Sequence, residues 1–317
     1  MNTPVHPGQQ LDHYQIEGVA DNSGPASIFR GTDLRTNCPV AIKIPRPEME
    51  GDPVFIERFQ REDEIGKSLH HPGIMKVFTD DHRSQNYIVT EWFDGQPLRQ
   101  VLAGKKLPQE RAVRIALNIC DVLAYIQNRG VVHRDLRPEN ILVDAHDHIK
   151  LINFGAAAQT GARRITFTSL SQVVGTSEYI SPEELKGKRG DTRSDIYALG
   201  VILYEMLTGK TPFQGSNPYD RLQKHPVPPR EINVAISPQL QEVIYRALER
   251  DPRNRYANAH EFALDLSDLK RVGVAERPEL RDWKKGRALP WKRVLLFGAI
   301  ALVPLVIFGL LIYFARK

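Results

Sequence analysis

Most of the candidate chemistry lies in one octapeptide, His133-Arg134-Asp135-Leu136-Arg137-Pro138-Glu139-Asn140. It sets a carboxylate five positions before an amide and runs on into the apolar tripeptide Ile141-Leu142-Val143. An aspartate beside an arginine is, taken alone, often only a structural ion pair. Upstream, Val40-Ala41-Ile42-Lys43 brings an amine out of an apolar run, and nineteen residues later Glu62 stands in a helical pattern. Downstream, Lys150–Ala158 reads KLINFGAAA, an apolar strand followed by Asn153-Phe154-Gly155. Asn153 is either a turn residue closing that strand or the occupant of a place where the chemistry calls for a carboxylate.

Two other constellations fail. Gly209-Lys210-Thr211 resembles the end of a phosphate-binding loop, but Tyr204 stands where the first glycine of that motif belongs. His146 and His148 lie in a polar Asp144–His148 turn with no third ligand nearby in sequence, which reads as a solvated hairpin tip. Cys38 and Cys120 form neither a CxxC pair nor a disulfide framework.

The elements that must hold these groups change character along the chain. Val40–Ile44 and Tyr87–Thr90 read as strands. Between them, residues 53–69 carry Phe55, Ile56, Phe59, Ile65 and Leu69 at helical spacing. After Gly95, residues 110–127, 195–207, 238–249 and 259–269 each show a helix-period apolar set. A strand-rich half therefore precedes a helix-rich half, with no internal repeat.

The chain has 317 residues, 41% hydrophobic and 26% charged, an ordinary globular composition. Its beginning, MNTPVHPGQQ, lacks the pattern of a signal peptide. From Val294 to Ala315 run 22 residues without a charge; as a helix they would cover roughly 30 Å, the hydrocarbon thickness of a bilayer. Pro304 is tolerated in such a helix. Lys284, Lys285, Arg287, Lys292 and Arg293 precede the span, and only Arg316 and Lys317 follow it, which places the preceding chain in the cytoplasm. Much of the net charge of +5 thus sits where it suits anionic lipid headgroups better than nucleic acid. With two residues after the span, no extracytoplasmic sensor domain is expected.

The order and spacing of Lys43, Glu62, His133–Asn140, Asn153-Phe154-Gly155, Ser181-Pro182-Glu183, Asp195 and Arg255 resemble the eukaryotic-type protein serine/threonine kinase family, close to its bacterial membrane-anchored members. The resemblance covers about residues 14–269. It implies an α+β, bilobal fold with a β-rich N-lobe (about 14–94) and an α-rich C-lobe (about 95–270). A tail (1–13) would precede it, and a basic juxtamembrane linker (271–293) and a transmembrane helix (294–315) would follow. The cofactors implied are ATP with Mg2+ or Mn2+, and the partners are protein substrates or docking proteins in the cytoplasm or membrane, with no nucleic acid. The expected location is a single-pass membrane protein with a cytoplasmic kinase domain, in a bacterial inner membrane.

Carried over by position, Lys43 would hold the α- and β-phosphates, oriented by Glu62, and Asp135 would accept the substrate hydroxyl proton. Asn140 and Asn153 fall on the metal positions. Arg137 replaces the branch's usual lysine near the γ-phosphate, a planar fork instead of a point charge. Ile28, Ala41 and Leu142 would enclose the adenine, with Glu91–Phe93 as the hinge and Thr90 as gatekeeper. Arg134 would face an activation segment bearing Thr166, Thr168, Ser169 and Ser171. Glu183 with Arg255, and Asp195 at a helix start, look structural.

Three departures set the functional question. The family's glycine-rich loop aligns with Asp21–Ile28, where Asp21, Ser23 and Ala26 replace all three glycines and Pro25 lacks an N–H. Gly66, one turn after Glu62, is expected to leave a gap where an apolar side chain would stack on Phe154. Asn153 replaces the metal-bridging aspartate, and hard divalent cations prefer carboxylate oxygen. Two readings follow: a serine/threonine kinase of low or atypical activity, or a pseudokinase acting as a membrane-tethered nucleotide-binding or docking scaffold.

Overall fold

Alternation of side chains across a pleated strand shapes the first lobe. In the computed structural model, which describes residues 5–78, 82–159, 177–213, 217 and 219–275, five antiparallel strands follow one another across a sheet in chain order. They are β1 (Gln10–Leu11), β2 (Tyr14–Asp21), β3 (Ala26–Asp33), β4 (Cys38–Pro45) and β5 (Ile88–Glu91). On β4 the period of two turns Val40, Ile42 and Ile44 inward and leaves Ala41 and Lys43 half-buried on the other face. The inward set joins Tyr14, Ile16, Phe29, Tyr87 and Val89 in the smaller of two cores. In the ladder, Lys43 pairs with Ile28 and Ile88, and Ala41 with Thr90. One sheet face therefore carries the lysine and two of the three residues expected around the adenine.

Helix α1 (Pro53–Ser68) starts where the sequence signals it. The Asp52 carboxylate accepts the N–H groups of Val54 and Phe55 at 2.9 and 3.3 Å, and Pro53 takes the first helical position. The gap expected at Gly66 does not exist. A β-carbon there would lie 2.5 Å from Cγ2 of Val77, a residue bridged to Thr90 of β5. Val77 fills the space from outside the helix, so the glycine permits a close approach and does not leave a void.

The second lobe is helical because its apolar residues recur at three and four. In order come α2 (Leu98–Leu102), α3 (Gln109–Gln127), α4 (Pro182–Leu185), α5 (Thr192–Thr208), α6 (Asp220–Gln223), α7 (Pro229–Ile232), α8 (Pro238–Ala247) and α9 (Ala259–Ser267). The four predicted helices appear as α3, α5, α8 and α9. α5 begins earlier than its apolar pattern, at a capping box between Asp191 and Ser194. Helix α3 turns Ile115, Ile119, Val122 and Ile126 into the larger core, which also takes Ile65 of α1 and Phe154. Five short strands, β6 (Gln96–Pro97), β7 (Val131–Val132), β8 (Ile141–Val143), β9 (Ile149–Leu151) and β10 (Ala158–Gln159), form two small sheets, ordered β6-β8-β9 and β10-β7; β8 and β9 are the apolar runs expected on either side of the hairpin tip, whereas β6, β7 and β10 have no signal in the sequence.

Both rejected motifs are structural. Gly209, at φ 72°, is the left-handed cap ending α5. The Asp144 carboxylate accepts the backbone N–H groups of His146 and His148, each at 2.8 Å, in the β8–β9 turn. Among the described residues no helix is long and apolar enough to cross a membrane. The expected span 294–315, most of the basic linker, and Thr166, Thr168, Ser169 and Ser171 lie outside the described residues.

Candidate active site

The octapeptide forms the loop between β7 and β8, and buried neighbours fix its shape. His133 is fully buried. Its Nδ1 accepts the N–H of Asp135 at 3.2 Å, which leaves Nε2 to donate to the carbonyl of Ile152 at 3.1 Å. Burial pushes its pKa down to about 4, so the ring is neutral. From α5, the Asp195 carboxylate accepts the N–H groups of His133 and Arg134 at 2.8 and 2.9 Å. Those bonds brace the left-handed turn at Arg134, φ 63°. Burial raises Asp195 to about 7 despite them.

Asp135 is thus aimed by its own backbone. Burial raises its pKa, opposed by the charge of Arg137, a hydrogen bond from Asn140 and the charge of Arg58. Nδ2 of Asn140 donates to the Asp135 carbonyl at 2.7 Å and to its carboxylate at 2.9 Å. Asn153, left-handed at φ 69°, closes a triangle: its Nδ2 stands 3.2 Å from Oδ1 of Asn140 and 3.5 Å from Oδ2 of Asp135. The orientation is dictated. Both partners of the Asn140 nitrogen are acceptors only, so Oδ1 must face Asn153, where only a donor fits. This donor set does not suit a hard divalent cation. Both metal-position residues are neutral amides, the oxygen of one is already spent on the other, and among the described residues no three His, Cys, Asp or Glu side chains group as a metal site.

Phe154 packs edge-on against His133, with ring centroids 4.9 Å apart. Gly155 lets this turn meet α1, since a β-carbon there would lie 3.0 Å from the Arg58 carbonyl. Arg61 adds a bond to the Ala157 carbonyl at 3.2 Å. Helix α1 is held inward, and Glu62 reaches Nζ of Lys43 through both oxygens, at 2.7 and 2.6 Å. Ile28, Ala41, Phe93 and Leu142 are all half-buried. Glu91 braces the hinge: its carboxylate takes Nζ of Lys150 at 2.5 Å and the Lys76 N–H at 2.8 Å.

The loop between β2 and β3 is tied by its own side chains. The Asp21 carboxylate takes the Ser23 N–H at 3.0 Å. The Asn22 amide oxygen takes Ser27 Oγ at 2.7 Å and the Arg46 guanidinium at 2.9 Å, and the Arg46 N–H reaches the Pro25 carbonyl at 3.2 Å. Two backbone donors a phosphate would want are out of play, because Pro25 has none and that of Ser23 is used.

A charge network flanks the catalytic loop that the sequence did not signal. Arg137 bonds Glu139 at 2.8 Å. The other oxygen of Glu139 takes Arg99 of α2 at 2.8 Å, and Arg99 also holds Glu205 of α5 at 2.6 Å and the Tyr179 hydroxyl. Burial alone would raise Glu139; the two arginines hold it down at about 2. Arg99 and Glu205 are 106 positions apart, with no local pattern to link them. Elsewhere Arg255 clasps Glu183 through two bonds of 2.8 and 2.7 Å, a buried structural pair.

The profile of the protein kinase domain family matches residues 23–264. The chain belongs to that family. This kinase domain is 36% identical over 263 residues to the probable serine/threonine-protein kinase SCO3848 of Streptomyces coelicolor, covering 80% of this chain and 39% of that protein. To the serine/threonine-protein kinase PknB of Mycolicibacterium smegmatis it is 35% identical over 290 residues, covering 88% and 46%. The chain thus spans less than half the length of these relatives. The solved PknI kinase domain of Mycobacterium tuberculosis superposes with a TM-score of 0.66 at 25% identity, over 84% of this chain and 100% of that one. The bilobal kinase fold is that family's.

Proposed function

We propose that this chain is a serine/threonine protein kinase of attenuated activity, tethered to a membrane through residues 294–315 with its kinase domain on the cytoplasmic side. The observation that carries the enzyme reading is the pairing of Lys43 with Glu62 in the same chain as a half-buried, backbone-aimed Asp135. In this reading ATP lies with its base between Ile28, Ala41 and Leu142, beside the hinge Glu91–Phe93. Lys43 neutralises its phosphates, and Asp135 accepts the proton of a serine or threonine hydroxyl as the γ-phosphoryl group leaves. Arg137, anchored by Glu139, supplies positive charge on the substrate side. Protein substrates come from the cytoplasm or membrane, and the basic linker rests on anionic lipid.

The second reading, a pseudokinase scaffold, is favoured by a specific observation: the amide triangle at Asn153 together with the tied β2–β3 loop. Phosphate transfer from labelled ATP to a generic protein substrate separates the two. Slow transfer by the full-length chain that Asp135→Asn abolishes supports the kinase. Transfer no higher than that variant's background leaves the scaffold.

A further inference from the structure

The nitrogen of Asn153 stands where a cation would be expected. In the triangle Asp135–Asn140–Asn153, Nδ2 of Asn153 is held by Oδ1 of Asn140 at 3.2 Å and faces Oδ2 of Asp135 at 3.5 Å. An N–H donor directed at two oxygens joins the catalytic loop to the Asn153-Phe154-Gly155 turn, as a cation held there would, but without a net charge. We propose that this cleft takes its nucleotide without a divalent cation, the Asn153 carboxamide serving as the fixed link that a metal would otherwise supply.

Charge supports the same conclusion. Lys43 is balanced by Glu62, and Arg137 by Glu139. Asp135 is left as the acidic group at the centre, with the positive charges of Arg137 and Arg58 acting on it. An aspartate at 153 would add a second carboxylate against Asp135, and metal-free polyphosphate would be repelled unless a cation came with it. Asparagine removes that repulsion and the strong ligand together. The cation then has little to bind, and the nucleotide has less need of it.

The inference rests on nucleotide occupancy of the cleft in the reading above, but not on phosphoryl transfer. The test is calorimetric titration of the full-length chain with ATP, once with chelator and once with excess Mg2+, for wild type and Asn153→Asp. The wild-type dissociation constant is expected to change less than about threefold between the two conditions, whereas Asn153→Asp binds at least about tenfold more tightly with Mg2+. A wild-type affinity that rises tenfold or more with Mg2+, or binding seen with Mg2+ and lost in chelator, overturns the inference while leaving the kinase reading intact. Metal-independent binding without transfer would instead sustain the inference and remove the kinase reading. A melting temperature raised by Mg2+ alone would also overturn it, since it would reveal a metal site in the resting protein.

Discussion

At the scale of single residues, the proposed attenuation centres on Asn153, where the resemblance to the kinase family calls for an aspartate. An amide keeps the outline of a carboxylate, so the turn and the packing of Phe154 survive. What is lost is one negative charge, together with the oxygen whose place Nδ2 takes opposite Asn140 and Asp135. Asn153→Asp is therefore expected to raise Mg2+-supported transfer by about tenfold, roughly 1.4 kcal/mol of barrier, measured as initial rates at saturating ATP. No change would assign the limiting defect to the β2–β3 loop, where Asp21 and Asn22 hold groups that a phosphate would need.

At the scale of elements, α1 and the catalytic loop are each positioned by something distant in sequence. Val77 occupies the space above Gly66, so adding a methyl group there sets two effects against each other. Alanine gains about 1 kcal/mol in helix propensity, while overpacking costs about 1–3 kcal/mol. At 2.5 Å from Val77 Cγ2, the clash should win. Gly66→Ala is expected to lower the melting temperature in the wild type and to raise it in a Val77→Ala background, a sign reversal that a double-mutant cycle reads directly.

The catalytic loop depends on two titratable groups that shift in opposite directions. His133, ordinarily near 6.5, is held near 4. The stability gained by keeping it neutral is full above about pH 6.5 and is lost as pH falls through 4. Asp195, held near 7 against an ordinary 3.8, does the reverse: its burial costs most above pH 7, and the cost is relieved as pH falls towards 3.8. Both wild type and His133→Gln carry the Asp195 effect, so their difference isolates the histidine. In urea unfolding, the deficit of His133→Gln is expected to narrow as pH falls from about 7.5 to about 5. A constant deficit would mean that the ring contributes through packing on Phe154 alone.

At the scale of the whole molecule, the proposed tether would set which substrates are met. A kinase with weak phosphate handling gains from a high local concentration of its substrate. The full-length chain is expected to sediment with membranes, to resist extraction by high salt, and to become soluble when residues 294–315 are deleted. Release of the intact chain by salt alone would reduce the association to the basic linker and its screened contacts with lipid.

Much of this protein is legible in its sequence. Apolar spacing located α1, α3, α5, α8 and α9, because helices bury one face at a period the sequence must repeat. The octapeptide, Lys43, Glu62 and Asn153 stand out because their functional groups follow one order along the chain, and the structure draws Lys43 to Glu62 and Asn153 to Asp135 and Asn140. Tertiary structure alone decided what depends on distant partners. Val77 filling the space at Gly66, Arg99 reaching Glu139 and Glu205, and Asn22 catching Arg46 leave no local signature, since side chains far apart in sequence make each contact. The direction in which the Asn153 amide points belongs to the same class. The sequence determined that an amide stands there; only the fixed orientation of Asn140 against Asp135 decided that it presents its nitrogen, and so a donor where a cation's ligand was expected.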